Sequence, residues 1–206
     1  MINQPSYSTD QYLFNDVIAF HKTKEAFGGL SNMAAKLYPI VVNDICIDNT
    51  EILYQLCRFP NNPEIQREIL KNKSPMGAKM TAKKYRKEYT RADFESIKVE
   101  IMYWCLSVKL AHNPFTFGLL LDNTGDKKIV EISRNDPFWG AQFSKANPNL
   151  LIGQNILGKL LMELRGFYRS NKGSSSILKV EPLIINDFKI LGQDITVVTN
   201  NQLTKR

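Results

Sequence analysis

Four polar side chains recur along one stretch at helical spacing. Glu51, Tyr54, Gln55 and Arg58 fall at i, i+3, i+4 and i+7, which places a carboxylate, a phenol, an amide and a guanidinium on one stripe of a helix. A stripe of this kind is either a solvated face or a functional one. A short helix made polar only for solubility seldom uses Tyr and Gln where Lys and Glu would serve. Lys109 is a second chemical feature, because the ten residues before it contain a single other charge, Glu100. Such a lysine either snorkels to water from the end of an apolar helix, or sits in a pocket where its pKa falls and it can act as a nucleophile or as a fixed cation for phosphate. The third is Asp136-Pro-Phe-Trp139-Gly140, an acid, aromatic and glycine cluster in a loop after a strand. It is either a turn pinned by a core tryptophan or a loop that carries chemistry.

The elements that must position these groups follow from periodicity and punctuation. Thr50 is placed to cap a helix from Glu51 to about Phe59, which Pro60 ends, with Ile52, Leu53, Leu56 and Phe59 on its apolar side. Asn62-Pro63 and Ser74-Pro75 open two more helices by the same cap-and-proline rule. The longest helix runs from about Arg91 to Ala111, with Phe94, Ile97, Ile101, Trp104, Cys105 and Val108 on a broad apolar stripe, as a buried central helix has. Asn113-Pro114 begins a short helix through Leu121, and Ile156 to Arg169 forms another. Strands are expected at Asp16 to His21, as a hairpin or two short strands between Leu37 and Ile47 broken at Asn43-Asp44, and at Lys128 to Ile132 after the Asn123-Thr-Gly125-Asp turn. Gly173 to Ser176 reads as a linker, Ile177 to Val198 alternates in strand fashion, and Thr199 to Arg206 reads as a frayed tail.

The chain has 206 residues, enough for one well-buried domain, and its 43% hydrophobic and 23% charged content is that of a soluble globular protein. The N-terminal residues lack a charged start followed by an apolar run, so neither a secretory signal nor a membrane anchor is expected. Cys46, Cys57 and Cys105 are scattered and odd in number, with no pair at metal-ligand spacing, which argues for a reducing, cytoplasmic setting, no disulfide framework and no structural zinc. With His21 and His112 the only histidines, a His-based metal site is not expected either. The formal charge is +7, and Lys71, Lys73, Lys79, Lys83, Lys84, Arg86, Lys87 and Arg91 lie close together. Such a patch either attracts polyanions such as nucleic acid or phosphate-bearing metabolites, or is simply a solvated helix face.

Several segments, in this order, resemble the NADAR family, the YbiA-like proteins of the NAD and ADP-ribose superfamily. Phe27-Gly-Gly-Leu-Ser-Asn32 is similar to the family's "LSNF", with Met33 in place of the aromatic residue. Thr50 to Phe59 is similar to "SxEHxfQAxKF", Ser74-Pro75 with Ala78 to "sPxxA", and Val108-Lys109-Leu110 to "xKF". The stretch ending at Gly140 resembles "LLxTGDxxLVExSxxDxyWG", and Gly153 to Arg165 resembles "GxNxLGxLLMxIR". The resemblance covers Asp16 to Arg169. Two further departures matter: Ile52 replaces a histidine, and Arg58 replaces the lysine of the "KF" pair, so an imine cannot form there.

The resemblance implies an α+β, mainly helical fold, with a NADAR domain over residues 1–173 and a C-terminal extension of strand character over 174–206. It implies an N-glycosidase that needs no cofactor and cuts a ribose–base bond. The implied substrates are ADP-ribosylated guanine in a nucleotide or DNA, or early phosphoribosyl-aminopyrimidine intermediates of riboflavin synthesis. A non-catalytic ADP-ribose-binding module is the remaining alternative. For the DNA reading, the implied partner is a toxin-like ADP-ribosyltransferase encoded nearby, which this chain would counter as antitoxin. On this scheme Glu51 is the acid/base or cation-stabilising carboxylate, Asp136 binds ribose hydroxyls or shares that role, and Lys109 is the nucleophile or phosphate clamp. Asn32, Tyr54, Gln55, Arg58, Gly140 and Asn155 line the site, and Trp139 stacks on the base or walls the pocket.

Overall fold

The computed structural model describes residues 8–72 and 74–200. The leader expectation for the first residues, the tail beyond Asn200, and Lys73 of the basic patch therefore lie outside the described residues. In chain order, β1 (Asp10–Leu13) and β2 (Ile18–Phe20) precede β3 (Ile40–Val42) and β4 (Ile45–Ile47). Four helices follow: α1 (Thr50–Cys57), α2 (Pro63–Leu70), α3 (Pro75–Tyr89) and α4 (Phe94–His112). Then come α5 (Phe117–Asp122), β5 (Ile129–Glu131), β6 (Gln142–Phe143), β7 (Leu150–Gly153) and α6 (Ile156–Ser170). Four two-residue strands end the series: β8 (Lys179–Val180), β9 (Lys189–Ile190), β10 (Gln193–Asp194) and β11 (Val198–Thr199). The chain divides into two compact units, one of residues 8–31 and 118–170, the other of 32–117 and 171–200.

In the first unit β7 is the centre of an antiparallel sheet, order β1-β7-β6, and β2 pairs in parallel with β5. Tyr12, Val130, Ala141 and Leu151 form a small core between these strands. Asn155, fully buried and at φ 51°, fixes the path of the chain into α6. Its Nδ2 donates to the Ile129 carbonyl at 2.8 Å and its Oδ1 accepts from the Glu131 N–H at 3.1 Å, so one amide completes the free edge of β5. The Thr124-Gly125 turn is clamped from α6. Arg165 donates to Thr124 Oγ1 and the Lys127 carbonyl, both at 2.8 Å, and Arg169 pairs with Asp122 and Asp126 at 2.7 Å.

In the second unit α1 begins at an Asn49 cap, whose side chain accepts from the Ile52 N–H at 3.0 Å; the cap is one residue earlier than the Thr50 expected from sequence. All eight residues of α1 are buried. Ser74 caps α3 as expected, accepting from Gly77 N–H at 3.0 Å, and the small buried residues Ala78, Thr81 and Ala82 let α3 lie close to its neighbours. The β3–β4 hairpin turns at Asn43 and Asp44, at φ 50° and 60°, the left-handed pair that a tight hairpin needs. The segment after Gly173 follows α4 rather than forming one long strand. Trp104 Nε1 donates to the Glu181 carbonyl at 2.9 Å, and Phe188 meets the same indole edge-on at 4.8 Å. Its apolar and polar alternation reflects residues dropped singly onto the helix. The short helix α5 starts at Phe117, three residues later than Pro114, because Asn113 first closes the end of α4 in a turn.

Asn155→Ala removes both partners of β5 and places a Cβ residue without an amide at positive φ. It should lower the unfolding free energy by about 2–4 kcal/mol. Urea unfolding read by circular dichroism measures it, and a loss under about 0.5 kcal/mol would contradict this role for the amide.

Candidate functional site

The stripe read from sequence is not a solvated face. Glu51 is 6% exposed and Gln55 is 1% exposed, on a helix with no side open to water. Gln55 Nε2 donates to Glu51 Oε1 at 2.9 Å, which fixes that carboxylate oxygen along the helix. Two groups of α3 meet this pair. Lys79 Nζ lies 3.8 Å from Glu51 Oε1, and Arg86 approaches Gln55 Oε1 at 3.5 Å. Lys79 and Arg86 are seven residues apart, so they lie on one line of α3, two turns from each other. They belong to the basic patch noted in sequence, but nothing in the sequence separated them from the other lysines of α3.

Asn32 joins the group from the loop before β3. Its backbone carbonyl accepts the Glu51 N–H at 3.2 Å, its Nδ2 approaches Met102 Sδ at 3.0 Å, and its Oδ1 is buried without a partner. Arg58, at the end of α1, lays its guanidinium 3.7 Å from the centre of the Phe94 ring. Burial, with the nearby Arg86 charge adding to it, holds Arg58 down to about 10. Nε of Arg58 and Nε of Arg86 are both buried without partners. Tyr54 packs on the same Phe94 ring at 5.7 Å, and burial pushes its phenol well above the usual range. Asn32, Glu51, Tyr54, Gln55 and Arg58 are thus gathered in one unit with Lys79 and Arg86.

Lys109 lies in the same unit and does not reach solvent: it is 1% exposed, so the snorkelling alternative does not hold. Its ammonium lies 4.1 Å from the Phe117 ring centre and 4.7 Å from that of Tyr38. Two ring faces offer a cation only about 1–2 kcal/mol each, less than full burial costs it. Desolvation wins, and the amine is lowered to about 7. Neither Tyr38 nor Phe117 was read from sequence as part of this environment, because the contact is long-range.

The remaining expected residues belong to the other unit. Asp136 Oδ1 accepts from the N–H groups of Phe138 and Trp139 at 3.2 and 3.0 Å, and its carbonyl accepts from Gly140 N–H at 3.2 Å. The carboxylate therefore folds its own loop, while Oδ2 takes no part in those bonds. Trp139 is half-buried and edge-on to Phe138 at 5.0 Å; the core tryptophan is Trp104. Gly140 has no room for a side chain, since a Cβ there would lie 2.6 Å from the Glu131 carbonyl oxygen. The Asn155 amide is engaged with β5 as described above. Among the described residues no His, Cys, Asp and Glu cluster suits a metal ion, and no helix is long and apolar enough to cross a membrane.

The NADAR domain profile matches residues 19–169, which spans both the α1 group and the Asp136 loop. The chain belongs to the NADAR family. It is 33% identical over 156 residues to N-glycosidase YbiA of Escherichia coli, a match covering 75% of this chain and 91% of that protein. It is 32% identical over 163 residues to the chloroplastic riboflavin biosynthesis protein PYRR of Zea mays, covering 73% of this chain but only 25% of that much longer protein. The NMR structure of Escherichia coli YbiA has a TM-score of 0.63 to this fold at 32% identity, over 76% of this chain and 88% of that one. The α+β, mainly helical NADAR fold expected from the motifs is the fold observed.

Burial of Lys109 in this NADAR domain has a pH signature. An unfolded lysine titrates near 10.4 and the folded one at about 7, so between those values the unfolded chain binds more protons and stability rises with pH. Relative to Lys109→Met, the wild type should gain roughly 3 kcal/mol from pH 7 to 9.5. Urea unfolding of both proteins at the two pH values checks this; an unchanged difference would show that the amine is not held neutral.

Proposed function

We propose that this chain is an N-glycosidase acting at a ribose–base bond, with Glu51 as its central carboxylate. The observation that carries the reading is a set of unmet groups on α1 and the elements against it: Asn32 Oδ1, Arg58 Nε and Arg86 Nε are buried without partners, with Asn32 bonded to the Glu51 N–H and Arg86 reaching Gln55. Buried polar groups are normally satisfied, and here a ligand with hydroxyls and phosphates would satisfy an acceptor and two cationic donors at once. The relatives named N-glycosidase support the same reaction class.

The chemistry follows from the groups. When the C1′–N bond breaks, its electron pair leaves with the base nitrogen, which takes up a proton. The sugar is left with oxocarbenium character, which a carboxylate stabilises as in glycoside hydrolysis. Water then adds to C1′ and gives up a proton to the base, the role assigned to Glu51. Lys79, Arg58 and Arg86 supply positive charge for phosphates. Lys109, whose amine burial lowers to about 7, can in its neutral form attack the aldehyde of an opened ribose.

Between substrates, we favour ADP-ribosylated guanine in DNA. The formal charge of +7 and the exposed Lys83, Lys84 and Lys87 of α3 suit a polyanion, and a nearby toxin-like ADP-ribosyltransferase would supply the modified base. The phosphoribosyl-aminopyrimidine reading is favoured by the relatives named for riboflavin biosynthesis. Incubation of the protein with ADP-ribosylated guanosine DNA and, separately, with the ribosylaminopyrimidine phosphate distinguishes them. Release of ADP-ribose from the DNA, at least tenfold faster than release of ribose phosphate, is the expected result. The reverse order would establish the second substrate, and binding of ADP-ribose without release from either would identify a non-catalytic module.

A further inference from the structure

We propose that Asn49, together with Asn32, holds the 2′- and 3′-hydroxyls of the ribose at Glu51 and so selects ribosyl over deoxyribosyl substrates. This rests on the N-glycosidase reading above and adds to it a residue just outside the motif at Thr50 to Phe59. Both amides stand at the start of α1, in the same unit as Glu51. The Asn32 carbonyl accepts the Glu51 N–H at 3.2 Å, and Asn49 Oδ1 accepts the next one, from Ile52, at 3.0 Å. Asn32 is 5% exposed and Asn49 2% exposed, and each keeps one buried atom without a partner: Asn32 Oδ1 and Asn49 Nδ2.

The partner that each amide does have decides which atom is left over. Met102 Sδ has no proton to give, so Asn32 turns Nδ2 toward it, at 3.0 Å, and Oδ1 remains. The Ile52 N–H is a donor, so Asn49 turns Oδ1 toward it and Nδ2 remains. The start of α1 therefore carries one spare acceptor and one spare donor, both neutral and both withdrawn from solvent. Buried amide groups are seldom left unmet, and a ligand that meets both gains affinity from each.

Charge and position decide which ligand fits. An anion does not, although this is a helix N-terminus. The N–H groups of Glu51, Ile52 and Leu53 are already bonded, to the Asn32 carbonyl, Asn49 Oδ1 and the Asn49 carbonyl, and the Glu51 carboxylate in the same turn repels negative charge. A cation is turned away by the Asn49 N–H. A hydroxyl both donates and accepts, so two adjacent hydroxyls serve an acceptor and a donor together. The amide edge of a base also offers a donor beside an acceptor, but the carboxylate in this turn has to stand at C1′. C2′ and C3′ follow C1′ in the ring, each bearing a hydroxyl. Gln55 and Lys79 both engage Oε1 of Glu51, and Oε2 lies outside those contacts. A hydrogen bond to the 2′-hydroxyl also strengthens in the transition state of glycoside hydrolysis, so the same contact serves rate as well as selection.

The test is calorimetry with methyl β-ribofuranoside 5-phosphate and its 2-deoxy and 3-deoxy counterparts, closed rings that cannot form an imine and that share the sugar phosphate of both candidate substrates. The proteins are wild type, Asn49→Ser and Asn49→Gly. Serine and glycine are both accepted at a helix N-cap, but serine is too short to replace Nδ2 and glycine has no side-chain donor. Wild type should bind the ribosyl probe about tenfold more tightly than either deoxy probe. In both variants the ratio for one deoxy probe should fall to about one, while the other ratio, set by Asn32, stays. Wild type that binds all three probes equally, or does not bind the ribosyl probe, overturns the site, and this arm stands without either variant. Ratios unchanged in folded variants, as expected if the two amides only hold a buried water, overturn it as well. The release assays described above report on the reaction separately. Discrimination without release keeps the diol site and sinks the glycosidase reading, and release without discrimination sinks the diol site alone.

Discussion

Glu51 and Gln55 carry a carboxylate and an amide into the interior on a helix that is buried at every residue. A helix in this position cannot hand its polar side chains to water, so each must find a partner within the fold or in a ligand. Gln55 is the hinge of the arrangement. Its Nε2 holds Glu51 Oε1, and its Oε1 faces Arg86, so the amide sits between acid and base. The small residues of α3 follow from this constraint, since Ala78 and Ala82 bring Lys79 and Arg86 within reach of α1. So does the loop at Asn32, whose carbonyl accepts the first-turn N–H of Glu51.

The same chemistry explains why Arg58 suits its place in spite of departing from the family pattern. A guanidinium keeps its charge where a lysine would lose it: burial lowers Arg58 only to about 10 but lowers Lys109 to about 7. The chain therefore holds a permanent cation at the end of α1 and a titratable amine near the end of α4. An imine is closed to the first, which leaves Lys109 as the proposed nucleophile or a reaction without covalent catalysis.

Much of the fold was legible in sequence because its signals are local. Ser74-Pro75, the Asn43-Asp44 turn and the apolar stripe of α4 each specify their element without help from distant residues. What escaped was long-range: β1, β6 and β7 are short, and their pairing depends on Tyr12 and Leu151 meeting across 139 positions. The ordered motifs identified the family, yet they do not all mark chemistry. Asn155 completes β5, Gly140 makes room for the Glu131 carbonyl, and Arg165 clamps the turn at Thr124. Glu51 was legible as a polar stripe, but its burial was not, since helical spacing alone gives a face and not what covers it.

The central claim is that the buried Glu51 carboxylate does chemistry and is not merely held in place by Gln55. Glu51→Gln keeps the shape and a hydrogen-bonding head while removing the charge and the base. The decisive measurement is single-turnover cleavage of whichever ribosyl substrate the wild type hydrolyses, alongside ADP-ribose affinity by calorimetry. The account predicts cleavage slower by about 10²–10⁴-fold with affinity within a few-fold of wild type. Undiminished cleavage by a folded Glu51→Gln protein would contradict it.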